Sequence, residues 1–156
     1  MTRLTANFTL EELTHSDTAA RLGVNNVPPE GSVERARLSL LALFLEKARR
    51  ICGNRPMNIH DAYRSPRVNA AVDGVANSAH MQAFAADFDV AGITPFEAAQ
   101  LLAAAGERGE LEYDQLIYEQ TWVHLSRRQD SEDNPPRKML LTRIAGGGYV
   151  SGIVGP

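Results

Sequence analysis

The chain has 156 residues, with 16 lysines and arginines against 19 aspartates and glutamates, which gives a formal net charge of −3. This length suits one domain with a substantial core, and the absence of a basic excess argues against nucleic acid as a partner. A single cysteine, Cys52, excludes an intramolecular disulfide and a multi-cysteine zinc knuckle. A metal site would therefore need carboxylates and the four histidines, which are His15, His60, His80 and His124.

The first third of the chain predicts three helices. Thr9 and Glu12 have the spacing of a capping box, so a short helix begins there, and a second short helix is predicted over 18–22. A longer helix is predicted over 32–52, because apolar residues recur there at steps of three and four and Gly53 follows as a stop signal.

The rest of the chain predicts strands with two helices between them. Helices over 66–72 and 96–105 each follow a Ser-Pro or Thr-Pro start signal. Strands are predicted over 57–60, 84–90, 115–119, 122–127 and 138–144. A polar loop is predicted over 129–137, and the Gly-rich segment 146–156 is expected to be loosely ordered. Helices followed by a small antiparallel sheet that packs against them predict an α+β fold in one domain, residues 1–156.

The sequence predicts no membrane-spanning or secretory segment. The longest apolar stretch, 40–45, is far shorter than the roughly 18 consecutive apolar residues that a membrane helix needs. The first residues lack the hydrophobic core and small-residue cleavage site of a secretory signal. We therefore expect synthesis in the cytoplasm without a leader and no integral membrane segment.

Two histidines and an aspartate are candidate metal ligands. His80 follows a predicted helix in a loop, Asp87 lies in a strand of small residues, and His124 lies in a separate strand. One loop residue and two residues on adjacent strands can converge, and two imidazoles with one carboxylate suit a zinc ion that keeps a fourth position for water. The alternative is that His80 and His124 are ordinary histidines at the ends of strands or loops.

Three motifs follow one another along the chain. They are Tyr63-Arg64-Ser65-Pro66, then Ser78 and His80 followed by Asp87, then the run from Asp114 to Glu119 with Trp122-Val123-His124-Leu125-Ser126. In this order, and with the opening run 8–13, the chain resembles the zinc-dependent peptidases of the M15 family, in particular its compact phage and bacterial branch. The resemblance implies a fold related to D-Ala-D-Ala carboxypeptidases, L-alanyl-D-glutamate endolysins and the hedgehog signalling domain.

The resemblance also implies roles for individual residues. His80, Asp87 and His124 match the zinc ligands of the family. Arg64 matches an arginine that binds the substrate and stabilises the developing oxyanion, although alone it would be interpreted as a surface ion-pair partner. Ser78 matches a serine that orients His80 or contacts the substrate, with a simple turn hydroxyl as the alternative.

Three further positions near the proposed site leave alternatives open. Trp122 shares the face of His124 along a strand, so it lines a substrate groove or belongs to the core. Ala83 replaces the glycine that relatives have, and it would be strained if its φ were positive. Asp61, close to Arg64, is either an orienting partner of the site or part of a strand-end pair with His60.

The general base is the role that the motifs define least. Relatives place a glutamate or aspartate a few residues before the last zinc histidine, often three before it, but here that position is Thr121. The nearest upstream carboxylate is Glu119, with Asp114 as a poorer alternative. Glu119 can face the metal if residues 120–121 form a turn, whereas a straight strand would place Glu119 and His124 on opposite faces.

The resemblance implies zinc-dependent hydrolysis of an amide bond in a stem or cross-link peptide of peptidoglycan. We expect a phage endolysin or lysin that is a monomer and reaches the bacterial cell wall after release from the cytoplasm. The alternatives are a bacterial D,D-carboxypeptidase or wall-remodelling enzyme, a non-catalytic zinc-stabilised binding domain, and a metal-free helical interaction domain.

Overall fold

The computed structural model describes residues 1–128 and 133–156, and within them five helices and six strands confirm the predicted α+β class. The helices are α1 Leu10–Thr14, α2 Asp17–Leu22, α3 Val33–Ile51, α4 Pro66–Ala71 and α5 Pro95–Glu107. The strands are β1 Met57–Asp61, β2 Ala85–Val90, β3 Gln115–Tyr118, β4 Val123–Ser126, β5 Met139–Arg143 and β6 Tyr149–Ser151. Among these described helices, none combines the length and the apolar character that crossing a bilayer requires.

Short-range hydrogen bonds determine where the helices begin and end. The Thr9 hydroxyl accepts a bond from the Glu12 amide, and the Glu12 carboxylate accepts one from the Thr9 amide at 2.8 Å, which is the predicted capping box of α1. Thr94 and Glu97 form the same arrangement at the start of α5. Gly23 ends α2 in the left-handed conformation, with φ of 65°, which glycine adopts without a steric cost.

In the described parts of the chain, the strands form one sheet in the order β1-β2-β4-β3-β5-β6. β3 and β4 form an antiparallel hairpin in which Ile117 is paired with His124. β5 pairs in parallel with β3 and antiparallel with β6. The sheet is therefore mixed, whereas the sequence predicted a wholly antiparallel sheet. The parallel pair arises because β4 returns the chain to the end of the sheet at which β3 begins, and β5 starts at that same end, with Met139 paired to Gln115.

The C-terminal segment is more regular than the loosely ordered tail that the sequence predicted. Residues 149–151 form β6 on the outer side of β5. The Thr142 hydroxyl donates a hydrogen bond to the Gly152 carbonyl at 2.7 Å and accepts one from the Val154 amide at 2.9 Å. These bonds attach the segment to β5, which glycine content alone does not predict.

The predicted polar loop over 129–137 falls partly on residues that the structure does not describe. Residues 133–137 form neither helix nor strand, in agreement with a loop. Residues 129–132 lie outside the described residues.

Contacts divide the chain into two compact units. One consists of residues 1–46 and 59–86, and the other of residues 47–58 and 87–156. The dividing points fall within α3, β1 and β2. Each unit has its own fully buried apolar side chains. These include Phe8, Leu13, Leu38, Leu41, Leu45 and Val68 in the first unit, and Phe88, Leu102, Leu111, Leu116, Val123 and Leu125 in the second.

A buried carboxylate organises the beginning of β3. Asp114 is only 5% exposed, and its oxygens lie 2.8 Å from both Arg128 and Arg137. Burial by itself raises the pKa of Asp114, but the hydrogen bonds from Arg137 and the charges of Arg137 and Arg128 outweigh it, so the pKa is lowered. These contacts give Asp114 a structural task at the start of the strand.

We expect Asp114→Asn to lower the free energy of unfolding by about 2–3 kcal/mol at neutral pH, because it removes a buried partner of two arginines. The lowered pKa makes this stabilisation fully present above about pH 3.9, the pKa of an unfolded aspartate, and it is lost as the pH falls through the folded pKa. Urea unfolding at several pH values should therefore show the two proteins converging in acid. Glu110→Gln, which breaks only the exposed pair with Arg108, is the control and should change little. Equal stability of Asp114→Asn and the unmodified protein at pH 7 would contradict this prediction.

Candidate metal centre

His80 lies in the loop between α4 and β2, and one of its two ring nitrogens already has a hydrogen-bond partner. Its side chain is buried, and Nδ1 lies 2.7 Å from the carbonyl oxygen of Ala62. Because a carbonyl oxygen only accepts, Nδ1 has the proton and Nε2 has the lone pair that a metal ion requires. The Ser78 hydroxyl accepts a hydrogen bond from the His80 amide at 3.2 Å, so Ser78 shapes the loop that presents the ring. A backbone partner of this kind is the usual support of a metal-binding histidine.

Asp87 and His124 lie on the neighbouring strands β2 and β4. Asp87 Oδ1 is 2.8 Å from His124 Nδ1, and the two side chains are only 14% and 12% exposed. The neighbours of Asp87 in β2, Ala86 and Phe88, are completely buried. Burying a carboxylate is costly unless a charged or polar group compensates it, and the His124 ring is such a partner for Asp87.

The structure brings all three predicted ligands together. One candidate ligand atom from each of His80, Asp87 and His124 lies within 4.8 Å of the other two. Donor atoms at zinc bond lengths of roughly 2.0–2.1 Å in a tetrahedron stand about 3.3 Å apart, so separations within 4.8 Å are compatible with a shared ion. Two imidazoles and one carboxylate are also the kind of donor set that zinc accepts. The residues therefore fit the metal.

Glu119 lies at the turn of the β3–β4 hairpin. Residues 120–121 form this turn, with Gln120 at φ of 72° and the Glu119 amide donating to the Trp122 carbonyl at 3.0 Å. Ile117 is paired directly with His124, and paired residues of antiparallel strands share a face. Glu119 follows Ile117 by two residues and so belongs to the face of His124. Of the two alternatives left open by the sequence, the turn is the one that forms.

The carboxylate of Glu119 is in an unusual electrostatic environment. Its side chain is 9% exposed, and Oε2 is buried without a hydrogen-bond partner among the described residues. Oε1 accepts a long hydrogen bond from the Tyr149 hydroxyl at 3.4 Å. Burial raises the pKa of Glu119; the charges of His124 and Arg143 lower it and that of Asp87 raises it, with a net increase. A carboxylate whose pKa is raised by burial holds a proton more readily than an exposed one, which suits a group that takes up a proton and returns it.

Arg64 is oriented by neighbours on its own segment. Its Nε and Nη2 both lie 2.6 Å from Asp61 Oδ2, and its Nη1 donates to Asn69 Oδ1 at 3.3 Å. Asp61 is also 3.9 Å from His80 Nδ1. Asp61 is therefore a shared neighbour of the two site residues, which favours the orienting alternative over a simple strand-end pair.

Asn26 fixes the backbone on both sides of Arg64. Its amide nitrogen donates to the carbonyl oxygens of Thr14 and Tyr63, at 2.8 and 2.9 Å. Its amide oxygen accepts from the Ser65 amide at 2.8 Å. Asn26 is 5% exposed, so these bonds are protected from water. Asn26, in the loop before α3, thus positions the motif that contains Arg64.

Ala83 occupies the strained conformation that the sequence analysis considered. Its φ is 60° and its side chain is fully buried. This left-handed conformation costs a non-glycine residue roughly 1–2 kcal/mol, and a glycine would avoid it. The position between His80 and β2 therefore requires a sharp turn whatever residue fills it.

Trp122 is half-buried and lines a cavity of about 630 Å³. Glu119 lies in the wall of the same cavity. Most of the remaining wall comes from residues 142–147 and 154–156. Trp122 therefore belongs to the wall of this cavity, and its role as part of a substrate groove stays a prediction.

Arg143 and Tyr149 are neighbours of Glu119 that were not predictable from the sequence. Arg143 Nη1 lies 3.9 Å from Glu119 Oε2, and Tyr149 donates to the other oxygen. Both residues belong to the C-terminal strands, and no motif marks them. The predicted strand over 138–144 was the one available signal, but nothing in it indicated pairing with β3.

A candidate metal-binding group therefore consists of the buried His80 and the half-buried Asp87 and His124, with Glu119 on the same face as His124. The family model described as Peptidase M15 matches residues 6–126, which is more than half of the chain and includes all four of these residues. The chain therefore belongs to the Peptidase M15 family and is a metallopeptidase. Peptidases of this family are generally zinc-dependent. The comparison with curated proteins finds no match.

Proposed function

We propose that this protein is a zinc-dependent peptidase that hydrolyses an amide bond in the stem or cross-link peptides of peptidoglycan. The observation that supports the proposal most is the proximity of His80, Asp87 and His124 in a chain of the M15 family. These three residues would hold the zinc ion. When bound, zinc would supply Lewis-acid polarisation of the scissile carbonyl and would make water acidic enough to attack near neutral pH.

Two side chains would do the remaining chemistry. The Glu119 carboxylate takes the proton of the attacking water and later returns it to the leaving amine, a task for which its raised pKa is suited. The Arg64 guanidinium, held in orientation by Asp61, binds the substrate and stabilises the negative charge that develops on the carbonyl oxygen.

Two further residues would support the site. Ser78 keeps the His80 loop in place through its bond to the His80 amide. Trp122 offers an apolar wall for the peptide in the cavity that also reaches Glu119. We propose a phage endolysin or lysin as the biological role, acting as a monomer on the host cell wall. A bacterial D,D-carboxypeptidase or wall-remodelling enzyme remains the competing assignment.

Digestion of purified peptidoglycan tests the proposal directly. We expect protein treated with a chelator to release no new fragments and protein reloaded with zinc to release peptides with new termini, detected by mass spectrometry. Loss of a terminal alanine alone indicates a D,D-carboxypeptidase, whereas a new amino-terminal glutamate or an opened cross-link indicates an endopeptidase. Stoichiometric zinc without any new terminus would refute catalysis and favour a zinc-stabilised binding domain.

A further inference from the structure

The C-terminal segment supplies most of the wall of the cavity beside Glu119. The family match ends at residue 126, whereas the lining residues 142–147 and 154–156 come later in the chain. Most of this wall therefore lies outside the part of the chain that the family model covers. The cavity, at about 630 Å³, is large enough for a short peptide segment.

Arg143 is the cationic residue of this wall. It is the last residue of β5, and its backbone is fixed because Gln120 Nε2 donates to its carbonyl oxygen at 2.6 Å. Its side chain is 50% exposed, and its Nη1 lies 3.9 Å from Glu119 Oε2, which is too long for a hydrogen bond. A guanidinium has five N–H donors in a planar fork. The long contact with Glu119 and a side-chain hydrogen bond with Tyr149 occupy only some of these donors, which leaves others suited to a second carboxylate.

The remainder of the wall favours small aliphatic groups. Trp122, Ile144 and Val154 give it apolar surface, while Gly146 and Gly147 contribute no side chain. An occupant that matches both features has a carboxylate for Arg143 and small aliphatic side chains for the apolar part.

We propose that Arg143 binds a carboxylate of the peptide substrate in this cavity and so selects anionic peptides. The inference rests on the proposed function in so far as it takes the cavity beside Glu119 as the path of the substrate. The carboxylate comes either from the free end of the peptide or from an acidic side chain. Arg143 is a specificity-determining residue in this proposal and does not exchange a proton.

Trp122 is the sole tryptophan of the chain and lines the same cavity, so its fluorescence reports occupancy without any turnover. Three short alanine-rich peptides are needed: one with a free C-terminal carboxylate, the same peptide as a C-terminal amide, and an amide with one glutamate side chain. We expect Arg143→Gln in the full chain to weaken binding of a carboxylate peptide about 10- to 100-fold and to leave the neutral amide unchanged. The peptide on which this loss occurs identifies the source of the carboxylate.

Two control variants narrow the interpretation. Arg143→Lys keeps the positive charge but not the planar set of N–H donors, so it should bind the carboxylate peptide more tightly than Arg143→Gln does and less tightly than the unmodified protein. Arg108→Gln removes an exposed arginine that pairs with Glu110 and should have no effect. Equal weakening of all three peptides by Arg143→Gln, or no fluorescence change with any peptide, would overturn the proposal.

Kinetics separate this inference from the proposed function. If Arg143 selects the substrate, Arg143→Gln raises KM for carboxylate peptides but not for the neutral amide, whereas a role only in supporting Glu119 would lower kcat by the same factor for every peptide and leave each KM unchanged. Binding that depends on Arg143, in a zinc-loaded protein that cleaves nothing, would refute the proposed function alone. Cleavage that is indifferent to the carboxylate would refute the inference alone.

Discussion

Replacing His80 with alanine is expected to abolish both stoichiometric zinc binding and peptide hydrolysis. The substitution removes one of three ligands, and since loss of an outer-shell partner alone typically costs about 10- to 100-fold in metal affinity, loss of a ligand should cost more. Elemental analysis after dialysis should find about one zinc ion per chain in the unmodified protein and little in the variant.

Thermal unfolding gives this prediction a second readout. A ligand that binds only the folded state raises the melting temperature, so zinc should stabilise the unmodified protein and leave His80→Ala unaffected. His15→Ala is the matched control, because the His15 side chain is 64% exposed and pairs only locally with Asp17 at 3.1 Å. A folded His80→Ala variant, judged by circular dichroism, that still binds zinc stoichiometrically would refute the assigned ligand set.

Glu119→Gln is expected to lower kcat about 10²- to 10⁴-fold while zinc binding is preserved. Glutamine has nearly the same shape as glutamate but cannot take the proton of the attacking water. Product release should be followed on a peptide substrate, with bound zinc measured on the same samples. Glu112→Gln, an exposed glutamate paired with Lys138, is the control and should keep full activity.

Glu119→Gln should lower the activity of the protein but should not lower the stability of its fold. Burial raises the pKa of Glu119, so the folded state holds its proton to a higher pH than the unfolded state does. Ionisation of the buried carboxylate therefore lowers the free energy of unfolding as the pH rises above the pKa that Glu119 has in the unfolded state. Glu119→Gln should be at least as stable as the unmodified protein at pH 7, and the difference should vanish in acid. Full activity of the variant, or a large loss of stability at pH 7, would contradict the role of Glu119 as a buried base.

The helices were predictable because their signals are local. The capping boxes at Thr9 and Thr94 close hydrogen bonds over three residues, and the formation of these bonds depends on no distant part of the chain. The strand positions followed from alternation over a few residues in the same way. The predicted element positions accordingly agree with the structure to within one or two residues at most ends.

The candidate ligands were predictable for a different reason. His80, Asp87 and His124 occur in a chain with few histidines and stand within three ordered motifs, so their residue types indicated the chemistry before any geometry was known. The interpretation of Glu119 depended on a single backbone feature. The positive φ of Gln120 makes the turn that brings Glu119 to the face of His124, and glutamine is not a residue whose presence signals such a turn.

The sequence by itself determined the α+β class, the M15 resemblance and the set of side chains available for a metal ion. Only the tertiary structure decided the surroundings of Glu119, which Arg143 and Tyr149 contact from strands more than twenty residues later in the chain. It also decided that β5 pairs in parallel with β3 and that the segment after residue 145 forms a strand. The physical reason is that pairing between distant strands depends on the burial and hydrogen bonding of whole faces, whereas a local pattern reports only the periodicity of its own segment.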